Sequence, residues 1–336
     1  MKADKISQRA HRKDEHLALA KANYQLQHQN SFDQIKLVRP TLPETVIDQH
    51  NIQTTFLGHT VSAPFFINAM TGGSPKGTQI NRDLGTIAAK TGIPIALGSA
   101  NIVTHEPEAI ASFVVAREEN PTGVILANIN PFTAVTTAKK LEQEIKPDAF
   151  QIHLNAVQEL IMPEGDRDFR WLDKLLALKD AIAVPVIIKE VGFGFDLSSL
   201  QLLEQNGFEF VDVAGSGGTD FAWIENFRRP GRNMGYLGEV GISTVDSLLN
   251  AGQTNLTYFA SGGVRNPLDV LKSLVLGARA VGISNRFLQE YEEFGSAGLL
   301  ELINNWQEQL AGLIALYGAN SLEDVKEIKY NYKQIV

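Results

Sequence analysis

Cysteine is absent from all 336 residues, which excludes disulfides, thiolate nucleophiles and cysteine-ligated zinc. An excess of positive charge is missing too. With 30 Lys and Arg against 38 Asp and Glu, the formal net charge is −8. Such a chain lacks the broad basic surface that holds nucleic acid through counterion release, so no nucleic-acid partner is expected and any anionic ligand must be held by local cations. Nor is there a long apolar run. No stretch approaches the roughly 20 residues of a membrane span. The N-terminal MKADKISQRAHRKDEH lacks the apolar segment of a secretion signal. A cytoplasmic protein without membrane attachment is expected.

What is present is the composition of a globular protein with a sizeable core, 44% hydrophobic and 20% charged. From Ala63 onward, short apolar runs alternate with longer amphipathic stretches, the pattern of parallel strands joined by crossover helices. Eight runs qualify as strands: APFFINA (63–69), IPIALG (93–98), GVILANI (123–129), AFQIHL (149–154), VPVIIKEV (184–191), FEFVDVA (208–214), LTYFAS (256–261) and ARAVGI (278–283). Helical spacing fills the gaps at 78–92, 131–145 and 266–278, the last opened by Asn266 as N-cap and Pro267 at the first helical position. Eight βα repeats predict a closed (β/α)8 TIM barrel. An open doubly wound sheet would carry its glycine-rich phosphate turn after the first strand, whereas here the strongest glycine signals follow strands six and seven.

Residues 1–62 stand outside this rhythm. They predict an N-terminal arm capping the barrel of residues 63–336, with a charged helix over 9–28. The segment 215–242, rich in Gly and Arg, is too long for an ordinary βα loop and reads as a lid or binding loop.

In such a barrel the C-terminal strand ends form the site. After strand seven, SGGVRNP (261–267) puts two glycines where backbone must approach a ligand, then opens a helix whose amides suit a phosphate; Gly282–Asn285 after strand eight is its partner. Tight turns alone would also use those glycines. Lys189 ends an apolar strand, where a buried ammonium requires an anionic partner. The pyrimidine edge of a flavin would serve, as would Glu190 or another carboxylate. Asn68 to Gly73 offers a small backbone for a planar ring, and Ser99 and Asn128 add neutral hydrogen-bonding groups. From strand four, His153, Asn155, Gln158 and Glu159 leave one strand end together and suit a metal-diphosphate, Mg²⁺ being held through a carboxylate, phosphate oxygens and water. Singly, His153 reads equally well as a satisfied buried histidine and Glu159 as a surface carboxylate. Arg12 and His16 share a helical face, which as a bare charge run is a solvated surface.

Taken together, HRKDEH (11–16), NAMTGG (68–73), HLNAVQE (153–159) with PEGDR (163–167), KEVGFG (189–194), AGSGGT (214–219) and SGGVRNPLDV (261–270) resemble the type 2 isopentenyl-diphosphate isomerases over nearly the whole chain. The resemblance implies an FMN- and Mg²⁺-dependent enzyme, using reduced flavin, that interconverts isopentenyl diphosphate and dimethylallyl diphosphate, with NADPH reducing the flavin and a homo-oligomeric assembly. By position it implies Arg12, Lys13, His16, His153 and Asn155 at the diphosphate, Gln158 near the reacting carbons as catalytic residue, and Glu159 on Mg²⁺. Ala69, Met70, Thr71, Ser99, Asn128, Lys189, Thr219, Gly263, Val264, Arg265, Ser284 and Asn285 would contact FMN. The chain departs from the family pattern at Ala100, Asn101 and Ala214, so no diphosphate role falls on the first two and no flavin bond on the third side chain.

Moving a double bond by one position adds a proton at one carbon and removes one at another without net redox change. Reduced flavin can supply both at N5, with Lys189 stabilising its anionic form. Two rival readings share the barrel. An FMN-dependent 2-hydroxyacid oxidase needs a His base and an Arg clamp near the sixth strand end, and the run 214–221 contains neither. A non-catalytic flavin-binding barrel would not need the Arg12, Lys13, His153, Gln158 and Glu159 set. Arg228, Arg229 and Arg232 are the reserve cations for a diphosphate.

Overall fold

The computed structural model describes residues 7–24 and 30–333. Eight parallel strands, β1 (Phe65–Ile67), β2 (Ile95–Ser99), β3 (Ile125–Ile129), β4 (Ala149–Leu154), β5 (Val186–Glu190), β6 (Phe210–Asp212), β7 (Thr257–Ser261) and β8 (Val281–Ile283), pair in chain order and close as a barrel. All eight coincide with strands read from the sequence, but β1, β6 and β8 keep only three paired residues each. Staggered strands share register over a short stretch, and beyond it the chain bends into loops.

Alternation along each strand sorts the side chains into two layers. Phe65, Ile67, Ile125, Ala127, Phe150, Ile152, Ile188 and Val211 point outward and pack under the helices. Phe66, Leu126, Ile187 and Phe259 fill the inside. Two residues further along the same inward faces stand Asn68, Asn128, Lys189 and Ser261, all buried. The inside of the barrel is therefore apolar at one end and polar at the end where the strands finish.

The helices begin where the sequence places caps. Ser74 accepts from the Gly77 amide at 2.9 Å to start Pro75–Thr91, and Asn266 accepts from the Leu268 and Asp269 amides to start Pro267–Val275. The segment 215–242 contains a helix, Phe221–Arg228, and a 3-10 turn, Gly235–Val240.

The chain before β1 divides between the two ends of the barrel. Helix α1 (Gln8–Tyr24) lies across the mouth, tied by the Ser74 hydroxyl to Asp14 at 2.7 Å; positions 25–28 of the expected helix lie outside the described residues. A hairpin, Thr54–Phe56 with His59–Val61, closes the opposite end by pushing Phe56 against Phe66 and Phe259, with ring centroids 5.5 and 5.0 Å apart. Burying a ring of that size stabilises the fold by roughly 2–3 kcal/mol. Between them Ile35–Leu37 pairs antiparallel with Tyr330–Tyr332. Among the described residues no helix is long and apolar enough to cross a membrane.

Candidate active site

The mouth of the barrel holds a cavity of about 410 Å³ whose roof is α1. The strand ends bring Ala69, Met70, Thr71, Ser99 and Asn128 to one wall, and His153, Gln158, Glu159 and Lys189 to the next. Thr219, Gly263, Val264, Arg265, Ser284 and Asn285 complete the ring, while Arg12, Lys13 and His16 reach down from above. Every site residue read from the sequence lines this cavity except Asn155.

Asn155 instead caps the helix Ala156–Ile161, accepting from the Gln158 amide at 2.8 Å and donating to the Val191 carbonyl at 3.0 Å. Its side chain is occupied by backbone, and it serves the site by aiming Gln158 and Glu159. This displaces the expectation that Asn155 meets a diphosphate.

Lys189 has its anion inside the barrel. Its ammonium sits 2.9 Å from Asp212 Oδ2 and donates to Ser261 Oγ at 3.1 Å, and Ser261 in turn donates to Asp212 Oδ1 at 2.5 Å. Neither the flavin nor Glu190 is needed to compensate it. Glu190 turns to the amides of Val191 and Phe193, and burial pushes its carboxyl up to about 8. Asp212 had a signal that the sequence reading passed over: in FEFVDVA (208–214) it stands between two valines, two positions after the inward Phe210 and so on the inward face, unlike Glu209.

The ends of β7 and β8 differ from expectation in which helix is free. The amides opening Pro267–Val275 are taken by Asn266, and the Arg265 amide and guanidinium by Asp269. Arg265 also meets Asp33 at 2.7 Å, so its charge is already shared between two carboxylates. By contrast the helix that starts at Asn285, interrupted at Gly295 (φ +69) before the chain continues helical to Leu316, has no side-chain cap. Among the bonds of the described residues, the amides of Val264, Ser284 and Asn285 donate to nothing. An anion fits there, on a helix N-terminus whose dipole favours it. Gly98 lets the ends of β1 and β2 pack backbone on backbone, its amide donating to the Thr71 carbonyl at 3.0 Å where a Cβ would come within 2.4 Å of that oxygen, and this holds Thr71 at the cavity wall. The Thr71 hydroxyl is buried without a partner among the described residues. A buried hydroxyl left unpaired is costly, and a ligand edge at that wall would satisfy it. These features fit FMN.

Ala214 holds φ +35 beside the cavity, its carbonyl accepting from the Gly192 and Gly194 amides at 2.8 and 3.3 Å. That bends the chain at the end of β6. Ala100 is buried, and Asn101 lines the cavity.

The cations of α1 are not idle. Arg12 pairs with Glu164 at 3.0 Å, and His16 lies 3.0 Å from Glu225. Lys13 donates to the Ser99 carbonyl and lies 5.6 Å from the Phe113 ring centre; burial, with Arg12 beside it, pulls its pKa down to about 7. Glu225 is the residue the sequence reading missed. Only 1% exposed, it accepts from Gln158 Nε2 at 2.7 Å and from Arg228 at 2.5 Å. Burial alone would push its carboxyl up, but His16, Gln158 and Arg228 outweigh that and hold it at about 2. It occupies a position on Phe221–Arg228 where helical spacing calls for an apolar residue, next to buried Ala222 and Ile224, and that mismatch was its only mark. Arg228 is thereby engaged, and Arg229 donates to the Ile161 carbonyl.

Glu159 accepts from the Asp166 amide at 2.7 Å, and its carboxyl is pushed up by burial. No group of three or more metal-ligating side chains exists among the described residues. A divalent ion fits only if a ligand brings most of the oxygens.

This arrangement has close relatives. The chain is 43% identical over 320 residues to the isopentenyl-diphosphate delta-isomerase of Latilactobacillus sakei, covering 95% of this chain and 92% of the relative. It is 41% identical to the protein of that name from Staphylococcus haemolyticus, covering 96% and 93%. The chain belongs to the isopentenyl-diphosphate delta-isomerase family. Within it, residues 125–331 also match the FMN-dependent dehydrogenase family, so this isomerase-family chain belongs to that wider group as well. Among solved structures, a flavocytochrome b2 variant with sulfite bound superposes with a TM-score of 0.70 at 19% identity, covering 93% of this chain and 81% of that one. A Pediococcus acidilactici lactate oxidase superposes with 0.69 at 16%, covering 95% and 87%. At those identities the likeness is one of fold.

Proposed function

We propose that the protein interconverts isopentenyl diphosphate and dimethylallyl diphosphate with FMN and Mg²⁺. The observation that carries the reading is the meeting, in one cavity, of an uncapped helix N-terminus at Ser284–Asn285 with the Arg12, Lys13 and His16 cations opposite, and Gln158 and Glu159 between them. The first suits the flavin phosphate, and the second suits a diphosphate. Family membership supports the same substrate pair.

FMN in its reduced form supplies a group able to give and take a proton next to the bound carbons. The chain's own residues do the rest. Ala69 to Thr71 offer a wall for the ring, and the Thr71 hydroxyl would bond to its edge. Lys189, held as an ammonium by Asp212, places positive charge at the floor and favours the more negative flavin state. Arg12, Lys13 and His16 bind the diphosphate with charge-assisted hydrogen bonds, and α1 excludes water from the reacting carbons. Glu159 contributes one carboxylate oxygen to Mg²⁺. Gln158, anchored through its amide nitrogen to Glu225, keeps its carbonyl oxygen for the substrate side. NADPH would serve to bring the flavin to its reduced form, outside the isomerisation itself. The hydroxyacid-oxidase reading lacks an Arg clamp, because Arg228 is locked to Glu225 and Glu15.

The test is an anaerobic incubation of the protein carrying reduced FMN and Mg²⁺ with isopentenyl diphosphate and, separately, of the protein carrying oxidised FMN with a 2-hydroxyacid. Isomerisation of the first and no flavin reduction by the second support the reading; the reverse pattern removes it.

A further inference from the structure

A chain of side-chain amides crosses the polar layer inside the barrel, joining Asp212 on β6 to His153 on β4. We propose that a relay of Asn68, Gln151 and Asn128, ordered at its far end by the Ala69 N–H together with the Asp212 carboxylate, determines which nitrogen of His153 carries the proton. The inference deepens the isomerase reading, in which His153 faces the diphosphate, and its physical content can be tested without substrate.

The polarity of each link follows from the one before. The Asp212 carboxylate, beside the Lys189 ammonium, only accepts. The atom of Asn68 that meets it at 3.0 Å is therefore the amide nitrogen. The Ala69 backbone N–H, which only donates, independently fixes Asn68 Oδ1 as the other end at 2.9 Å. That oxygen faces Gln151 at 3.3 Å, so Gln151 presents Nε2 there. Its Oε1 is left for Asn128, which must present Nδ2, at 3.1 Å. Asn128 Oδ1 then lies 2.7 Å from His153 Nδ1, and an amide oxygen at that distance requires Nδ1 to carry the hydrogen. Asn68 and Gln151 are 0% exposed and Asn128 2%, so water does not offer any of them an alternative partner.

His153 is thereby held with hydrogen on Nδ1, leaving Nε2 as a lone pair. Charge around the ring keeps that state. Burial pulls its pKa down to about 4, Lys189 on β5 and Lys13 on α1 add repulsion, and only the Ile129 carbonyl on β3 acts the other way. A phosphate oxygen meeting Nε2 would be repelled unless that nitrogen gained a proton. Asp212 and the three amides are positioning residues: they touch neither phosphate nor reacting carbon.

Two measurements decide it. Neutron diffraction from perdeuterated crystals of the full chain reads each amide and ring nitrogen; deuterium on His153 Nδ1 and not on Nε2, with nitrogens and oxygens ordered as above, is expected. Deuterium on Nε2 with Nδ1 bare overturns the relay. The second is ¹⁵N-histidine NMR on Gln151→Met, which cuts the relay between Asn68 and Asn128, checked for native circular dichroism. The His153 signals should move from one tautomer to a mixture. An unchanged single tautomer in the folded variant would show that Asn128 is oriented locally and would overturn the relay. Because no readout here involves substrate, loss of the isomerase reading and loss of the relay are separate results.

Discussion

Replacing Glu225 by Gln keeps the shape of the side chain and removes one buried charge. The magnitude follows from its surroundings. Against an ordinary carboxylate at 4.5, its carboxyl is held at about 2 by His16, Gln158 and Arg228, overcoming the burial that acts to raise it. A depression of about 2.5 units corresponds to about 3 kcal/mol of native stability at neutral pH. At 1% exposure no solvent screening reduces it. The sign is that of a depressed carboxylate: the contribution is complete above about pH 4.5 and is lost as pH falls toward 2. Urea unfolding of the wild type and Glu225→Gln, measured from pH 7 down to pH 3, should therefore show a gap of about 3 kcal/mol that narrows below pH 4.5. The glutamine variant leaves Arg228 with Glu15 alone and weakens the contact to His16, so α1 and Phe221–Arg228 should be the first elements to lose hydrogen-exchange protection. A gap under about 0.5 kcal/mol, or one that stays constant through the acid range, would refute the assignment of Glu225 as the charge that pins the roof to the barrel.

Three further outcomes follow. Thr71→Val, which keeps the shape of the side chain and removes the buried hydroxyl that has no partner among the described residues, should lower flavin retention on gel filtration while circular dichroism stays native; full retention would remove that hydroxyl from the ring site. Changing both Arg12 and Lys13 to Ala should raise KM for isopentenyl diphosphate more than it lowers kcat and leave the flavin spectrum unaltered, because these cations bind ground and transition states alike; an unaltered KM would return α1 to a surface helix. Diphosphate binding should take up a proton at His153, whose pKa of about 4 rises beside the anion, so affinity should fall as pH rises and calorimetry in two buffers should show uptake; a buffer-independent heat would remove His153 from the diphosphate.

The barrel was legible because period-two strands, capped helices and glycine-rich ends agree with one another, and local and global signals that agree specify a fold. The cavity wall was legible for the same reason, since the end of a barrel strand is a predictable place. What escaped were residues whose meaning lies in a partner distant in the chain. Glu225 acts on His16 and Gln158, 209 and 67 positions away in the chain, and no local pattern announces that. Asp212 was hidden inside a strand, where Lys189 drew attention to a ligand before a neighbour. Asn155 was misread because an N-cap and a ligand-binding amide are the same residue type in the same kind of turn. The helix at Pro267 was marked as an anion site by the two glycines before it and by its N-terminal amides, yet its Asn266 cap occupies those amides.

The central claim is tested most directly by following isopentenyl diphosphate under anaerobic conditions in D₂O with the protein, FMN, Mg²⁺ and a small, known amount of NADPH. Dimethylallyl diphosphate carrying deuterium from solvent, formed in large excess over the NADPH oxidised, is the predicted result. No dimethylallyl diphosphate from folded, flavin-loaded protein, or product formed one for one with NADPH, would contradict it.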